Sequence, residues 1–282
     1  MTLPNFLIVG AQKSGTTTLY DILNNHPEVN MSKIKEVNYF TSEKKMSKGL
    51  KFYSSFFYKK KATQKITGEA SPGYMNNLYI PKLIKNQLGD VKIIMILRNP
   101  VKRAYSQYWD NRRHLSESLT ESEIIGRYLT DEYSSKSKGY FSRGVYIKYV
   151  EEYLKYFKRD NLHIIIFEEL LDNQKKELKK LYNFLKIDDS DQFLNLYISS
   201  NSSMIWNNNF YKFFLQNPKY NKYISKHLRR FFFFGKKYKY KYPLPTDNNL
   251  KILQEFYKPW NRKLEFFLDK ELNYWNLSKS KL

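Results

Sequence analysis

The sequence contains no cysteine and only four histidines among 282 residues. Without cysteine the chain forms neither disulfides nor thiolate metal sites, and the scattered histidines show no metal-ligand spacing, so we expect no metal. Its apolar runs, such as residues 91–97, are far shorter than the roughly 20 residues that a membrane-spanning helix needs. The first residues lack a basic leader followed by a long apolar segment. We therefore expect no signal peptide, no transmembrane segment and a cytoplasmic location.

Negative charge is scarce, with 27 Asp and Glu against 49 Lys and Arg, which gives a formal net charge of +22. A polyanionic partner would account for this excess, whether nucleic acid, a sulfated or phosphorylated ligand, or an acidic glycan. The alternative is compositional drift, because the chain is rich in Lys, Asn, Tyr, Phe and Ile together. Charge alone does not identify the ligand.

Apolar periodicity predicts an α/β protein. Residues 6–9 form a short apolar run that predicts a strand, and a glycine-containing loop and a helix over 16–23 follow. The continuous apolar runs at 91–97 and 161–170 predict two further buried strands. Apolar residues at helical spacing predict helices over 146–157, before the last of these strands, and over 172–185 and 250–268, after it. Strands that alternate with helices favour a three-layer fold with a central, mostly parallel sheet flanked by helices, and the glycine loop after the first strand makes this fold P-loop-like.

The chain shows no internal repeat and no linker rich in proline or glycine. We therefore predict one domain over residues 1–282 with insertions at about 111–144 and 195–242. The first insertion is polar and predicts an irregular lobe.

The stretch after the first strand resembles a phosphate-binding loop. Gly10 and Gly15 have the spacing of G-x-x-x-x-G-K-[ST], but Thr16 occupies the lysine position and Lys13 lies inside the loop. Backbone N–H groups of such a loop, and of the helix that follows, bind phosphate. From inside the loop, the Lys13 ammonium can reach an atom bonded to that phosphate. The predicted phosphate ligands are Lys13, Ser14, Gly15, Thr16, Thr17 and Thr18.

The segment "PNFLIVGAQKSGTTTLYDILNNHP" resembles the 5′-phosphosulfate loop of sulfotransferases that use PAPS (3′-phosphoadenosine 5′-phosphosulfate). The similarity is greatest to the heparan sulfate N- and 3-O-sulfotransferase branch and its bacterial relatives. Four more segments match in the family's order: "KEVNYF", "GEASPGY", "ILRNPVKRAYSQY" and "FYKPWNRKLEFFLDKELNYW". The resemblance implies metal-free transfer of the sulfuryl group of PAPS to a hydroxyl or amino group of an acceptor, which we expect to be a saccharide.

The same resemblance implies roles for single residues. Lys13 stabilises the oxygen between the phosphate and the leaving sulfate, Glu36 is the catalytic base, and Arg98 and Ser106 bind the 3′-phosphate. Arg98 directly follows a predicted strand, so it should emerge at the carboxyl edge of the sheet, where a guanidinium suits bidentate phosphate contact. For Glu36 the alternative is a surface glutamate paired with Lys33 or Lys35.

The sequence departs from the family pattern at two places. Several members carry a lysine after the glutamate in E-K-[ST]-P, and Ala70 stands there in this chain. Lys35 or a lysine from elsewhere supplies that charge, or this branch does without it. The relatives also close a late basic loop with a disulfide, and "GKKYKYKYP" corresponds to it here without cysteine. The candidates for closing over the 3′-phosphate are Lys237, Lys239 and Lys241, although a solvated basic loop is equally compatible.

The acceptor is the least defined part of the prediction. The two insertions are expected to line the acceptor cleft, and the predicted acceptor contacts are Lys35, Arg112, Arg113 and Tyr146. His26 and His114 are further possible bases, although His26 precedes Pro27 at a helix end and is better explained as structural.

Two other functions stay open. One is a P-loop nucleotide kinase, which the position of Lys13 and the lack of an aspartate after residues 91–97 disfavour. The other is a non-catalytic polyanion-binding protein. We expect no nucleic acid partner.

Overall fold

The computed structural model describes residues 1–129, 138–194, 204–206, 208–217, 219–220, 237–239 and 245–276. Residue contacts divide the chain into two compact units, Met1–Asn99 with Tyr146–Ser199 and Pro100–Val145 with Ser200–Leu282. Each unit has its own cluster of buried apolar side chains. The single domain expected for residues 1–282 stays a prediction.

The first unit is built on a five-stranded parallel sheet in the order β2-β3-β1-β4-β5. Its strands are β1 (Phe6–Gly10), β2 (Val29–Met31), β3 (Ile66–Ala70), β4 (Lys92–Leu97) and β5 (Leu162–Ile166). β1 and β3 are buried along their whole length, as expected of parallel strands covered on both faces. The predicted α/β, P-loop-like fold with a central parallel sheet is confirmed, although the strand expected over 161–170 ends at Ile166, where a helix begins.

Helices are numbered along the whole chain. Those of the first unit are α1 (Thr16–Asn24), α2 (Glu43–Met46), α3 (Gly49–Ser54), α4 (Ile80–Leu88), α7 (Tyr146–Leu154), α8 (Phe167–Asp172), α9 (Gln174–Leu185) and α10 (Asp191–Leu194). Apolar residues three and four apart give α1 and α9 each one buried face, and both faces join strand residues in one cluster. This cluster anchors the elements from which the candidate site projects.

The second unit contains α5 (Pro100–Arg113), α6 (Glu121–Tyr128), α11 (Asn209–Gln216) and α12 (Asp247–Leu268). The irregular lobe expected over 111–144 is therefore wrong in part, because α6 lies inside it. Thr120 caps α6 in a capping box: its hydroxyl accepts from the Glu123 amide, and the Glu123 carboxylate accepts from the Thr120 amide at 2.8 Å. The helix was not predicted because this stretch is polar, and its start depends on the local pair of Thr120 and Glu123.

A two-stranded antiparallel sheet pairs β6 (Met204–Trp206) with β7 (Lys237–Lys239). Lys237 and Lys239 thus lie on a short strand rather than in a loop, and Lys241 falls outside the described residues. In the part of the chain that the structure describes, no helix combines the length and the apolar content of a membrane span.

Candidate active site

The loops after β1 and β4 meet at the carboxyl edge of the sheet. The chain leaves β1 toward β2 on one side of the sheet, whereas β5, the next strand after β4, lies on the other side. Such a reversal opens a crevice where ligands bind in α/β folds. The two loops are joined, since the Ala11 amide donates to the Ile96 carbonyl at 2.8 Å and Arg98 Nη1 donates to the Lys13 carbonyl at 3.1 Å. The predicted pair of Lys13 and Arg98 therefore lies together.

The loop after β1 has the shape of an anion cradle. Lys13 and Gly15 both have left-handed backbones, with φ of 67° and 92°. A Cβ on Gly15 would lie 2.6 Å from the Phe167 ring, so only glycine fits there. α1 then begins at Thr16 without a side-chain cap and without an acidic residue in its first turn. Its first N–H groups therefore have no helical acceptor and favour an anion.

Ser14 provides an independent indication of an anion. Its side chain is fully buried, and its hydroxyl has no hydrogen-bond partner among the residues that the structure describes. A buried hydroxyl without a partner costs about 1–3 kcal/mol. A phosphate oxygen held by the loop would accept from this hydroxyl, so the residues present fit a phosphate-bearing ligand.

Arg98 is fixed in place from several sides. Its guanidinium carbon lies 5.4 Å from the centre of the Phe167 ring, in cation–π geometry. Its carbonyl accepts from the Tyr146 hydroxyl at 2.8 Å, and the next amide, of Asn99, donates to Glu168 at 2.9 Å. These contacts hold the guanidinium beside the loop that carries Lys13.

Glu36 lies on a second loop, which follows β2. Its φ is 63°, and its amide donates to the Ala70 carbonyl at the end of β3, at 2.9 Å. The side chain is 46% exposed, and Lys35 Nζ lies 2.9 Å from its carboxylate. Lys33 instead donates to the Ser55 carbonyl at 2.8 Å. Glu36 is thus an accessible carboxylate with Lys35 as its cation, placed directly beside the position where the family lysine is replaced by Ala70.

The segment after β3 brings the two loops together. The Met75 amide donates to the Val9 carbonyl at 2.8 Å, just before the Lys13 loop. A Cβ built on Gly73 would lie 3.8 Å from the Gln12 side chain and 3.9 Å from that of Asn38. Gln12 precedes Lys13, and Asn38 lies two residues after Glu36. Lys13, the candidate for stabilising the leaving group, and Glu36, the candidate base, therefore lie on adjacent loops.

Behind these loops lies Glu69, a carboxylate with no solvent exposure. It accepts hydrogen bonds from Ser71 at 2.7 Å, from Tyr74 at 2.8 Å and from Tyr53. Burial is the largest influence on its pKa and raises it, while those hydroxyls and the Lys45 charge pull in the opposite direction. The segment "GEASPGY" contains Glu69, Ser71 and Tyr74, but its resemblance to the family pattern did not predict this cluster. An acidic residue within a buried strand, followed closely by Ser and Tyr, was the available signal.

Several predicted site residues lie elsewhere. Ser106 is half-buried on α5, in the second unit, and its role stays a prediction. Arg112 is buried and donates to the Tyr108 hydroxyl and the Leu215 carbonyl, while Tyr146 is buried against Arg98. Because both are enclosed by protein, we exclude them from the proposed acceptor site. Arg113 pairs with Asp110 and stays a candidate only.

His26 is held by hydrogen bonds within the fold. His26 is buried, its Nε2 lies 2.9 Å from the Asp188 carbonyl, and its Nδ1 accepts from the Glu28 amide at 3.2 Å. His26 is thus structural. Among the residues that the structure describes, no group of three or more His, Cys, Asp or Glu side chains is placed to hold a metal.

Residues 3–265 match the family model described as "Sulfotransferase domain". The chain is 29% identical over 205 residues to mouse heparan sulfate glucosamine 3-O-sulfotransferase 5, covering 70% of this chain and 58% of that protein. It is 27% identical over 295 residues to the Drosophila melanogaster bifunctional heparan sulfate N-deacetylase/N-sulfotransferase, covering 95% of this chain and 26% of that protein. The chain thus spans less than two thirds of the length of either relative.

Among solved structures, the crystal structure of a sulfotransferase from Alicyclobacillus acidocaldarius superimposes with a TM-score of 0.72 at 21% identity. The match covers 98% of this chain and 100% of the Alicyclobacillus acidocaldarius chain. At this identity it is the fold that the two proteins share.

Proposed function

The chain belongs to the sulfotransferase domain family, and from this premise we propose that it moves the sulfuryl group of PAPS to a hydroxyl or amino group of an acceptor, with Glu36 as base. The observation that supports the proposal is the hydrogen bond from Arg98 to the Lys13 carbonyl, because it holds two cationic residues at one edge of the sheet, where each would bind a different anionic group of the donor. When bound, PAPS supplies a sulfuryl group already activated by its phosphate leaving group.

The donor end is assigned to the loop after β1 and to Arg98. Ser14, Gly15 and the first turn of α1 contribute hydroxyl and N–H donors for the 5′-phosphate. Arg98 presents a planar guanidinium to the 3′-phosphate, and its contact with Phe167 limits its freedom before the ligand arrives. Ser106 is the proposed second ligand of that phosphate.

Lys13 and Glu36 carry out the transfer. The Lys13 ammonium stabilises negative charge as it develops on the bridging oxygen, an effect worth roughly 10²–10³-fold in rate when one such donor is lost. Glu36 takes the proton from the acceptor, and general base catalysis typically contributes about 10²–10⁴-fold. Lys35, 2.9 Å from Glu36, is proposed as the cation that this chain uses in place of the family lysine missing at Ala70.

The proposed acceptor is a saccharide. The relatives named above act on heparan sulfate by their names, and a net charge of +22 favours an acidic polymer. Lys35 and Arg113 are the remaining acceptor candidates with exposed or partly exposed side chains.

Thermal shift assays separate the proposal from its alternatives. We expect protection by adenosine 3′,5′-bisphosphate (3′,5′-ADP) and none by ATP with magnesium. The reverse result would identify a nucleotide kinase. Strongly salt-dependent oligonucleotide binding without any nucleotide effect would identify a polyanion-binding protein.

Transfer of labelled sulfate from PAPS to a panel of glycans and hydroxylated small molecules then tests the residue roles. Lys13→Ala and Glu36→Gln should each lose at least about 100-fold in turnover, and Glu36→Gln should keep its protection by 3′,5′-ADP. Lys33→Ala and Glu43→Gln remove the same charges from nearby exposed positions and should retain turnover. Full turnover by Glu36→Gln would remove the glutamate from the base role.

A further inference from the structure

We propose that Glu69 is a positioning residue whose carboxylate, through the hydroxyls of Ser71 and Tyr74, fixes the loop that carries Glu36. The catalytic part of this inference rests on the proposed function, because it concerns the same base. Glu69 itself touches no reacting atom: it is fully buried at the end of β3, and all of its hydrogen bonds are to hydroxyl groups.

The hydroxyls link the carboxylate to the loop. Tyr74 Oη accepts from the amide of Tyr39 at 2.8 Å and from that of Phe40 at 3.4 Å. Ser71 Oγ accepts from the amide of Asn38 at 2.9 Å. Three consecutive amides of the Glu36 loop thus bind two side-chain oxygens, both of which lie against Glu69.

Proton counting shows why a carboxylate is needed. A hydroxyl has one proton to donate, and the lone pairs of Ser71 and Tyr74 face the loop amides. Their protons therefore point to Glu69, at 2.7 and 2.8 Å. An ionised carboxylate accepts from every side and donates nothing, so it orients both hydroxyls at once. A neutral amide or acid in its place would donate to one of these oxygens and compete with the loop.

The loop requires this support because its backbone is strained. Glu36 has φ of 63°, and a left-handed conformation costs such a residue about 1–2 kcal/mol, while Asn38, at 53°, is of a type that adopts this conformation more readily. The Lys45 ammonium binds the Val37 carbonyl between them, and the Glu36 amide is held by Ala70. Every residue from 36 to 40 thus has a backbone atom bound to the end of β3, to the segment after β3 or to Lys45, and the hydroxyls of Ser71 and Tyr74 hold three of the five.

Tyr53 offers a matched comparison within the same cluster. Like Tyr74 it is fully buried, and like Tyr74 it donates to Oε1 of Glu69. Its ring stacks on Tyr39 at 4.3 Å, but its hydroxyl accepts from no loop amide among its described contacts. A cluster that only stabilised the fold would respond equally to loss of either hydroxyl, whereas the proposed role distinguishes them.

The test compares Tyr74→Phe with Tyr53→Phe in the full chain. Both should lower the melting temperature, Tyr74→Phe by more, because its hydroxyl also accepts from two loop amides. Tyr74→Phe should lower kcat by about tenfold or more with KM for PAPS nearly unchanged, because about 1.4 kcal/mol of loop order is a tenfold effect, while Tyr53→Phe should change kcat less than about threefold. Hydrogen exchange at the amides of Tyr39 and Phe40, which donate to the Tyr74 hydroxyl, should accelerate in Tyr74→Phe and stay near the parent rate in Tyr53→Phe. Glu69→Gln should behave like Tyr74→Phe.

Equal kcat values and equal amide exchange in the two tyrosine variants would overturn the proposal. The exchange measurement does not depend on turnover, so it also separates the two claims. Full activity of Glu36→Gln, together with faster exchange in Tyr74→Phe, would remove the base role and keep the loop-positioning role. If Glu69→Gln does not fold, the tyrosine pair still decides the question.

Discussion

Gly15 shows how one residue fixes the geometry of the candidate donor loop. Its φ of 92° is a conformation that other residues adopt only with strain, and a side chain there would meet Phe167 at 2.6 Å. The same ring contacts Arg98. Gly15 is therefore packed against Phe167, and the same ring supports Arg98, the proposed 3′-phosphate ligand.

We expect Gly15→Ala to abolish protection by 3′,5′-ADP and to destabilise the protein by about 2–4 kcal/mol, since strain and a steric clash act together. Gly49→Ala is the control. Gly49 also has a positive φ, of 72°, but nothing lies within 4 Å of its added methyl group, so only about 1–2 kcal/mol of strain should appear. Thermal melts with and without nucleotide measure both effects, and equal behaviour of the two variants would contradict the role of the Phe167 contact.

Residue placement was predictable where it depended on the local chain. The glycine spacing placed Lys13 inside a loop, and the end of an apolar run placed Arg98 at the sheet edge. The burial of Arg112 and Tyr146 was not predictable, because it depends on residues more than 40 positions away, such as Leu215 and Arg98. The Glu69 cluster was not predicted either, because one of its members, Tyr53, lies 16 residues before Glu69 in the sequence.

At the scale of elements, predictability followed length and periodicity. β4 is a continuous apolar run and α9 repeats apolar residues at helical spacing, so both were expected. β2 has only three residues, too few for a pattern. α8 begins directly after β5 without a break in apolar character, so the strand was extended too far.

The start of α6 gives a test at this scale. Thr120→Ala removes the cap that satisfies the Glu123 amide and should lower the free energy of unfolding by about 1 kcal/mol, as measured by urea denaturation. Thr120→Ser keeps the hydroxyl and should restore nearly all of the loss. Equal loss in both variants would show that the threonine methyl group, not the capping hydroxyl, provides the stability.

At the scale of the whole molecule, Glu28 ties together distant parts of the chain. Its carboxylate accepts from the Asp188 amide at 2.7 Å and pairs with Lys65 at 2.6 Å. Partial burial alone would raise the pKa of Glu28, but the Lys65 ammonium and the Asp188 amide outweigh it, so the pKa lies below its ordinary value of 4.5. The native state therefore binds fewer protons than the unfolded state, and this stabilisation, complete above about pH 4.5, is lost as the pH falls through the lowered value.

Glu28→Gln should accordingly reduce the free energy of unfolding by about 1 kcal/mol at pH 7, and the difference from the parent should shrink below the ordinary pKa of 4.5. Urea unfolding at several pH values measures it. Glu255→Gln removes the same charge from an exposed ion pair, 3.7 Å from Lys258, and should barely change the free energy of unfolding at pH 7. A constant difference for Glu28→Gln across that range would contradict the linkage.

The central place of β1 in the sheet separates two tasks. On one flank, β4 delivers Arg98 next to the Lys13 loop, and on the other flank, β3 delivers the segment that holds the Glu36 loop. An exchange of the segment after β3 would therefore have to keep Gly73 and Met75, since these residues also lie against the Lys13 side of the sheet, at Gln12 and Val9.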